Sequence, residues 1–427
     1  MRTRRAVLQT AAVVPLLVAC SPDVLLGERD AVRIAVAWSG LELAAFRSVL
    51  EATALPEAIE VVPLGDEIGT ALTARGRSAP DIVMLPQAGQ VRGLVAQGRL
   101  REVPDTLWSD PGGVRYAEQW RELCYYQGRL YGVPFKASGK SLVWYDREAI
   151  GRSGLGDPAQ WTVPDWLAGV RECAASPRRL LALGAADGWV LTDLFENLLL
   201  AQSPAVYREL GSGIRNWDVG PVRATFEQLG GLWGIRSGLP GGVGTALTRQ
   251  FADAVRDVFE HRRALAVAAP DFAEPVVRDA LRRLGRAEEA AAVVPFPRAE
   301  PDRENPRIVG GDVMVLTRSA GPRAEAVVAA LAADQAPVPW IEQVGGFLGP
   351  NLRTRAHYSS WSAPTAEALA EWPDFDLSDR LGAVGGRDGL WRVLTEFLIT
   401  VGDRGGDVGI ATDTAVGTLS RFERGWR

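Results

Sequence analysis

Lysine is almost absent from this chain. Of its 47 basic residues only Lys136 and Lys140 are lysine, and all the others are arginine. Such a bias is expected of a GC-rich genome, so a lysine that survives it marks a place where a compact, rotatable ammonium can do what a planar guanidinium cannot. The plainer alternative is two neighbouring, solvated lysines. Histidine is nearly as scarce: His261 and His357 have no metal-ligand neighbour at usable spacing, so no metal site is expected. His261 lies in Glu-His-Arg-Arg and reads as a solvated helix end. There is no Gly-x-Ser-x-Gly elbow. The glycine-rich stretch 238–245 has no strand before it and no lysine after it, which excludes a phosphate loop. Carboxylates are plentiful, but none is marked by context as the acid–base couple that a glycosidase holds roughly 5–10 Å apart. Neither a cofactor nor catalysis is called for.

Long apolar runs are missing too. The longest near the start, 11–19, is too short to span a bilayer. It follows Arg2, Arg4 and Arg5, and together these make residues 1–20 a targeting segment that stands outside the fold. Thr3-Arg4-Arg5-Ala6-Val7-Leu8-Gln9 resembles a twin-arginine export signal, and Leu17-Val18-Ala19-Cys20 resembles the lipobox of bacterial lipoproteins. Cys20 would then be diacylated, and two acyl chains make a stable anchor on the outer face of the cytoplasmic membrane. Residues 21–30 form a short polar tether. Without residues 1–19, 44 basic residues face 52 acidic ones, an excess that argues against a nucleic-acid partner. The remaining cysteines, Cys124 and Cys173, could pair in an oxidising compartment. Such a bridge would clamp a junction that the segment below needs to be mobile, so two buried thiols are expected.

The length permits two lobes, each with its own core. The segment that organises them is 131–146. Two aromatic-rich runs, 123–126 and 130–135, flank the turn Gln127-Gly128-Arg129 and read as a hairpin. A β-prone run follows at 140–145. Between them Lys136-Ala137-Ser138-Gly139 reads as a polar, flexible joint, suited to a crossover between two bodies that move relative to each other. Upstream, strands are expected at 31–37, 59–62 and 81–85, with helices over 41–52 and 67–76. Downstream, helices are expected over 165–175, 191–200, 222–233 and 248–260, with strands at 263–269, 291–296 and 307–317.

Tyr131-Gly-Val-Pro-Phe-Lys-Ala137 followed by Lys140-Ser-Leu-Val-Trp-Tyr145 resembles the crossover segment of the extracellular solute-binding proteins of sugar ABC importers, nearest to the α-glucoside-binding branch. Further likenesses run the length of the mature chain. They include Trp38-Ser-Gly40-Leu-Glu42, the strand ending at Gln87, and Asp187-Gly-Trp189, with Leu194 where the family has a second tryptophan. Gly310-Gly311-Asp312, Gly345-Gly-Phe347-Leu-Gly-Pro-Asn351 and the tail around Trp391 complete the set. The resemblance implies an α/β, two-lobed periplasmic-binding-protein-like fold of type II with several hinge crossovers. The first lobe would be 31–139 and 294–311, and the second 140–293 and 312–427. It also implies a monomer that captures a sugar, an oligosaccharide or α-glucoside, and hands it to the permease subunits. Trp38, Trp189 and Trp391 would take pyranose faces, and Lys136, Ser138, Glu42 and Asp312 the hydroxyls. Gly40, Gln87, Lys140, Asp187, Asp271, Gly311 and Phe347 complete the expected ligand-binding set. The competing readings are an exported, lipid-anchored carbohydrate-active hydrolase and a sensor or adhesin derived from the binding fold.

Overall fold

The computed structural model describes residues 31–425 apart from 66–67, 75–78, 214–215 and 404. The leader, the tether and Cys20 lie outside the described residues, as does part of the expected helix over 67–76. Two sheets are built from β1 (Ala31–Val36), β2 (Ala58–Pro63), β3 (Ile82–Leu85), β4 (Leu100–Arg101), β5 (Gly132–Gly139), β6 (Leu142–Asp146), β7 (Arg179–Ala182), β8 (Ala264–Ala268), β9 (Ala291–Pro295), β10 (Ile308–Thr317) and β11 (Asp374–Phe375). The first sheet has the order β11-β10-β3-β1-β2, with β4 and β5 also paired to β10. The second has the order β7-β8-β6-β9. Each is the centre of its own apolar core, so the chain is two-lobed.

The apolar runs decide which strands are central. In β3 all four residues are buried, and in β10 Val313, Met314, Val315 and Leu316 are fully so. Strands covered on both faces read as continuous hydrophobic stretches. β1 runs parallel to β2 and β3, whereas β10 runs antiparallel to β3 and β5. The β10–β5 register slips between Asp312 and Val313. That irregularity lies beside Lys136, and bulges of this kind re-aim side chains.

The chain passes between lobes three times. β5 leads into β6 through Lys140 and Ser141, β9 returns to β10, and β11 leaves again through Asp376 into the helix Leu377–Leu381. Backbone hydrogen bonds tie the passages together. Lys140 N donates to Ile308 O at 2.9 Å, Phe296 N to Ser141 O at 2.8 Å, and Asp376 N to Val309 O at 2.8 Å.

Two expectations are corrected here. Residues 136–139 are not a flexible joint: all of β5 is buried, because β10 covers its edge with a backbone ladder. The crossing comes one residue later. The second correction concerns 312–375: most of its buried residues pack with the first lobe rather than the second, although Trp361 lies against Trp144 of the second. The helix Pro322–Leu331 sets Val327 and Val328 into the first core, and Trp340, Leu348 and Trp372 join them. The chain leaves that lobe only after β11, since a strand must finish its pairing before it can cross. The expected hairpin is short, Tyr125–Tyr126 against Arg129–Leu130, with positive φ at Gln127 and Gly128. Cys124 and Cys173 are both buried free thiols.

Gly311 is a position where this arrangement has little tolerance. Its φ is +145°, and a Cβ there would lie 2.1 Å from the Lys136 carbonyl oxygen. Gly311→Ala is expected to cost on the order of 2–3 kcal/mol of stability in urea denaturation. Gly151→Ala, with nothing within 4 Å, should be neutral or stabilising by up to about 1 kcal/mol. Equal midpoints for the two variants would refute the close-approach account.

Candidate functional site

A cavity of about 230 Å³ lies where the lobes meet over the crossovers. The first lobe supplies Trp38 and Glu42 from the turn and helix (Gly40–Thr53) that follow β1, and Gln87 from the turn after β3. Lys136 and Ser138 come from β5, and Gly311 and Asp312 from β10. The carboxyl ends of parallel strands are where open α/β sheets place ligands. The second lobe adds Trp189, at the start of the helix Gly188–Gln202, with Phe272 and Trp391. Lys140, Asp376, Ser378 and Asp379 come from the crossovers themselves.

Each charge has a traceable setting. Lys136, 2% exposed, gives its ammonium to Glu42 at 2.5 Å, and the Phe272 and Trp340 rings each lie 5.0 Å from it. Burial opposes that charge, but Glu42 and Asp312 outweigh burial and raise its pKa. Lys140 bonds Asp193 at 3.0 Å and also Asp376. One ammonium between two carboxylates stays firmly charged. It cannot compensate both acids, and burial pushes Asp193 up to about 7. Burial likewise lifts Asp312 to about 7, although Lys136 and the Trp38 indole favour its anion. Glu196, fully buried, accepts from Leu377 N at 2.8 Å, Ser378 N at 2.9 Å, the Ser378 hydroxyl and Tyr207 Oη at 3.2 Å. It thereby fixes the start of the helix Leu377–Leu381. Among the described residues no group of three or more His, Cys, Asp or Glu is arranged to hold a metal ion.

The structure brings Trp38, Glu42, Gln87, Lys136, Ser138, Lys140, Trp189, Gly311, Asp312 and Trp391 to one cavity. Four expected residues do not line it. Asp271 sits behind β5, accepting from Ser138 Oγ and Gly139 N at 2.7 Å each. Phe347 belongs to the first core, edge-on to Phe135 with ring centroids 5.4 Å apart. Asp187 accepts from Phe251 N at 2.6 Å. Gly40, at φ +51°, opens the helix Gly40–Thr53. Sequence reasoning passed over Phe272, Asp376, Ser378 and Asp379. The last three do carry a local signal: Asp376 precedes the helix Leu377–Leu381 and its carboxylate accepts from Asp379 N at 3.3 Å, as an N-cap does.

No family model matches the chain. A search of known proteins finds the osmoprotective compounds-binding protein GgtB of a Synechocystis species, 27% identical over 394 residues and 86% of each chain. It also finds the α-glucosides-binding periplasmic protein AglE of Rhizobium meliloti, 27% identical over 239 residues and about half of each chain. An extracellular-binding protein of an ABC transporter from Pyrococcus horikoshii matches at 26% over 200 residues. The chain's homologues are ABC-transporter solute-binding proteins. Solved structures agree on the fold. The bacterial solute receptor AcbH superposes with a TM-score of 0.74 at 16% identity, covering 92% of this chain and 99% of that one. Maltose-bound MalE3 of T. maritima gives 0.71 at 16% identity, covering 92% and 99%. The two-lobed periplasmic-binding-protein fold is that of these receptors, and the homologues are binding proteins rather than enzymes.

The buried acids fix a sign for pH dependence. Asp193 and Asp312 titrate near 7 in the folded chain, and Asp271 near 6, against about 3.9 when unfolded. An acid whose folded pKa is raised contributes stability that is full below the unfolded value and lost as pH rises through the folded one. The unliganded chain should therefore melt higher at pH 5.5 than at pH 8, and Asp312→Asn should flatten that difference. Scanning calorimetry showing a midpoint that rises between those pH values would contradict the assignment.

Proposed function

We propose that this chain is the solute-binding component of an ABC importer, exported from the cytoplasm, and that its solute is a carbohydrate of the α-glucoside or oligosaccharide class. The observation that carries the reading is the composition of the cavity. Aromatic side chains from both lobes, Trp38, Trp189, Phe272 and Trp391, line it together with the carboxylates of Glu42, Asp312, Asp376 and Asp379 and the ammoniums of Lys136 and Lys140. Pyranose C–H faces bury against aromatic planes, and charged partners make the stronger hydrogen bonds to hydroxyls. A site built to pair hydroxyls rejects analogues lacking them, because its own polar groups are then left unpaired. The name of one homologue, an α-glucosides-binding protein, supports the same class. Capture proceeds by binding on one lobe, closure of the other, and delivery of the closed form to the permease subunits.

A thermal-shift screen of mono- and oligosaccharides tests this. A true ligand at a hundred times its Kd adds about 2.7 kcal/mol of stability. Trp189 is half-buried against Phe251 and Phe272, with ring centroids 5.2 and 5.6 Å away. Trp189→Ala is expected to lose on the order of 1–3 kcal/mol of binding, roughly ten- to a hundredfold in Kd. Unchanged affinity by calorimetry would remove Trp189 from the site, and a screen with no stabilising sugar would end the carbohydrate reading.

The anchor belongs to the same proposal and rests on Leu17-Val18-Ala19-Cys20. Cys20→Ala should release the protein into the medium or leave it unprocessed. A variant still recovered with membranes at the wild-type level would count against lipidation.

A further inference from the structure

The charges that line the cleft do not balance. Glu42, Asp312, Asp376 and Asp379 face only Lys136 and Lys140, and no arginine is among the described lining residues. Both ammoniums are already engaged, Lys136 by Glu42 and Lys140 by Asp376 and Asp193. Asp312 takes a hydrogen bond from the Trp38 indole. Asp379 has no such compensation. It is 4% exposed, it lines the cavity, and its Oδ2 has no hydrogen-bond partner among the described residues. Nor can it swing out to water. The first turn of the helix that carries it is clamped by Glu196, and its own N–H is held by Asp376.

We propose that Asp379 receives a protonated amine of the solute, so that the preferred ligand is a hydroxylated ring carrying an ammonium group, an amino sugar by chemical class. This rests on the carbohydrate reading above and sharpens it. A desolvated carboxylate without a partner is costly, and a hydroxyl satisfies its oxygen but leaves its charge uncompensated. An ammonium satisfies both, and it gains further from the faces of Trp189, Phe272 and Trp391 across the same cavity. The ionisable groups around Asp379 reinforce the preference: Asp376, Glu196 and Asp312 are acids, and Lys140 is the one base among them. Burial and these acids hold the Asp379 carboxyl well above the usual carboxylate range. Any proton that this carboxyl carries would leave as the ammonium arrives, whereas a neutral sugar displaces none.

The experiment is calorimetric titration of the purified chain with glucose, glucosamine, N-acetylglucosamine and choline, at a pH where the amine is charged and in two buffers of different ionisation enthalpy. Glucosamine is expected to bind at least about tenfold more tightly than glucose or its N-acetyl derivative, with net proton release. Asp379→Asn should bring that ratio to within about twofold, and Asp379→Glu should keep it. The wild-type ratio decides even where a variant fails to fold. Glucose bound as tightly as glucosamine would overturn the amine assignment and leave the carbohydrate reading standing. Choline bound without any sugar would overturn both as stated, because the ring hydroxyls would then carry nothing. Failure of all four ligands would overturn the amine assignment and count against a monosaccharide-sized solute.

Discussion

The ammonium of Lys140 is the point on which the junction of the lobes depends. It sits between Asp193 of the second lobe and Asp376 of the third crossover, while its own backbone N–H pairs with Ile308 in the second crossover. The Asn197 amide closes the arrangement by donating to the Lys140 carbonyl at 3.2 Å. Three passages far apart in sequence thus converge on one residue. Removing one partner of a buried ion pair costs roughly 3–5 kcal/mol, because the other charge is left unpaired. A guanidinium would demand coplanar acceptors here, whereas the ammonium serves acceptors that approach from different chain segments. That is a physical reason for lysine to persist in a chain that otherwise uses arginine.

The helix Gly188–Gln202 makes this possible. Every residue from Val190 to Ala201 is buried, so the helix is enclosed on all sides and its polar residues must find partners inside the protein. Asp193, Glu196 and Asn197 stand at i, i+3 and i+4, on one face. That face meets the crossovers: Asp193 takes Lys140, Asn197 takes the Lys140 backbone, and Glu196 takes the start of the helix Leu377–Leu381. Tyr207 extends the contact, its one hydroxyl proton shared between Glu196 at 3.2 Å and Phe375 O at 3.0 Å. One buried helix therefore holds the second lobe to both ends of the hinge.

Much of this was legible in the sequence, and what was not has definite causes. The lysine pair was visible by composition alone, and the segment 131–146 by its strand runs and small residues. Chemistry at the ends of β1 and β3 was legible because parallel strands place their carboxyl termini at a shared edge. Asp376 and Asp379 were hidden because they act through Lys140 and Glu196, more than 170 residues away, and no local pattern records that distance. The lobe boundary after 311 was misplaced for a related reason. The helix expected over 324–334 announces a buried face but not which sheet covers it. Phe347 and Asp271 fall outside the cavity, because an aromatic after a glycine pair or an acid just past a strand reads alike whether it faces a ligand or the protein interior.

The same burial that builds the hinge sets the chemistry of the cleft. Holding Glu196 and Asp376 at the third crossover fixes Asp379 at the cavity wall, and holding Lys140 between two acids removes the cation that could have neutralised it. The protein thus gains a rigid junction and acquires a carboxyl that is costly to ionise. Two events can relieve that cost, protonation or the arrival of a donor from outside. In the proposed reading a ligand donor serves the filled site, which makes the surplus acid a source of selectivity rather than a defect of packing. The aromatic faces on the second lobe add little to an empty cleft, but they exclude water once the cleft is filled, and exclusion of water strengthens every charge beneath them. Hinge, acid and aromatic wall therefore act as one construction, in which stabilising the junction and discriminating the solute draw on the same buried charges.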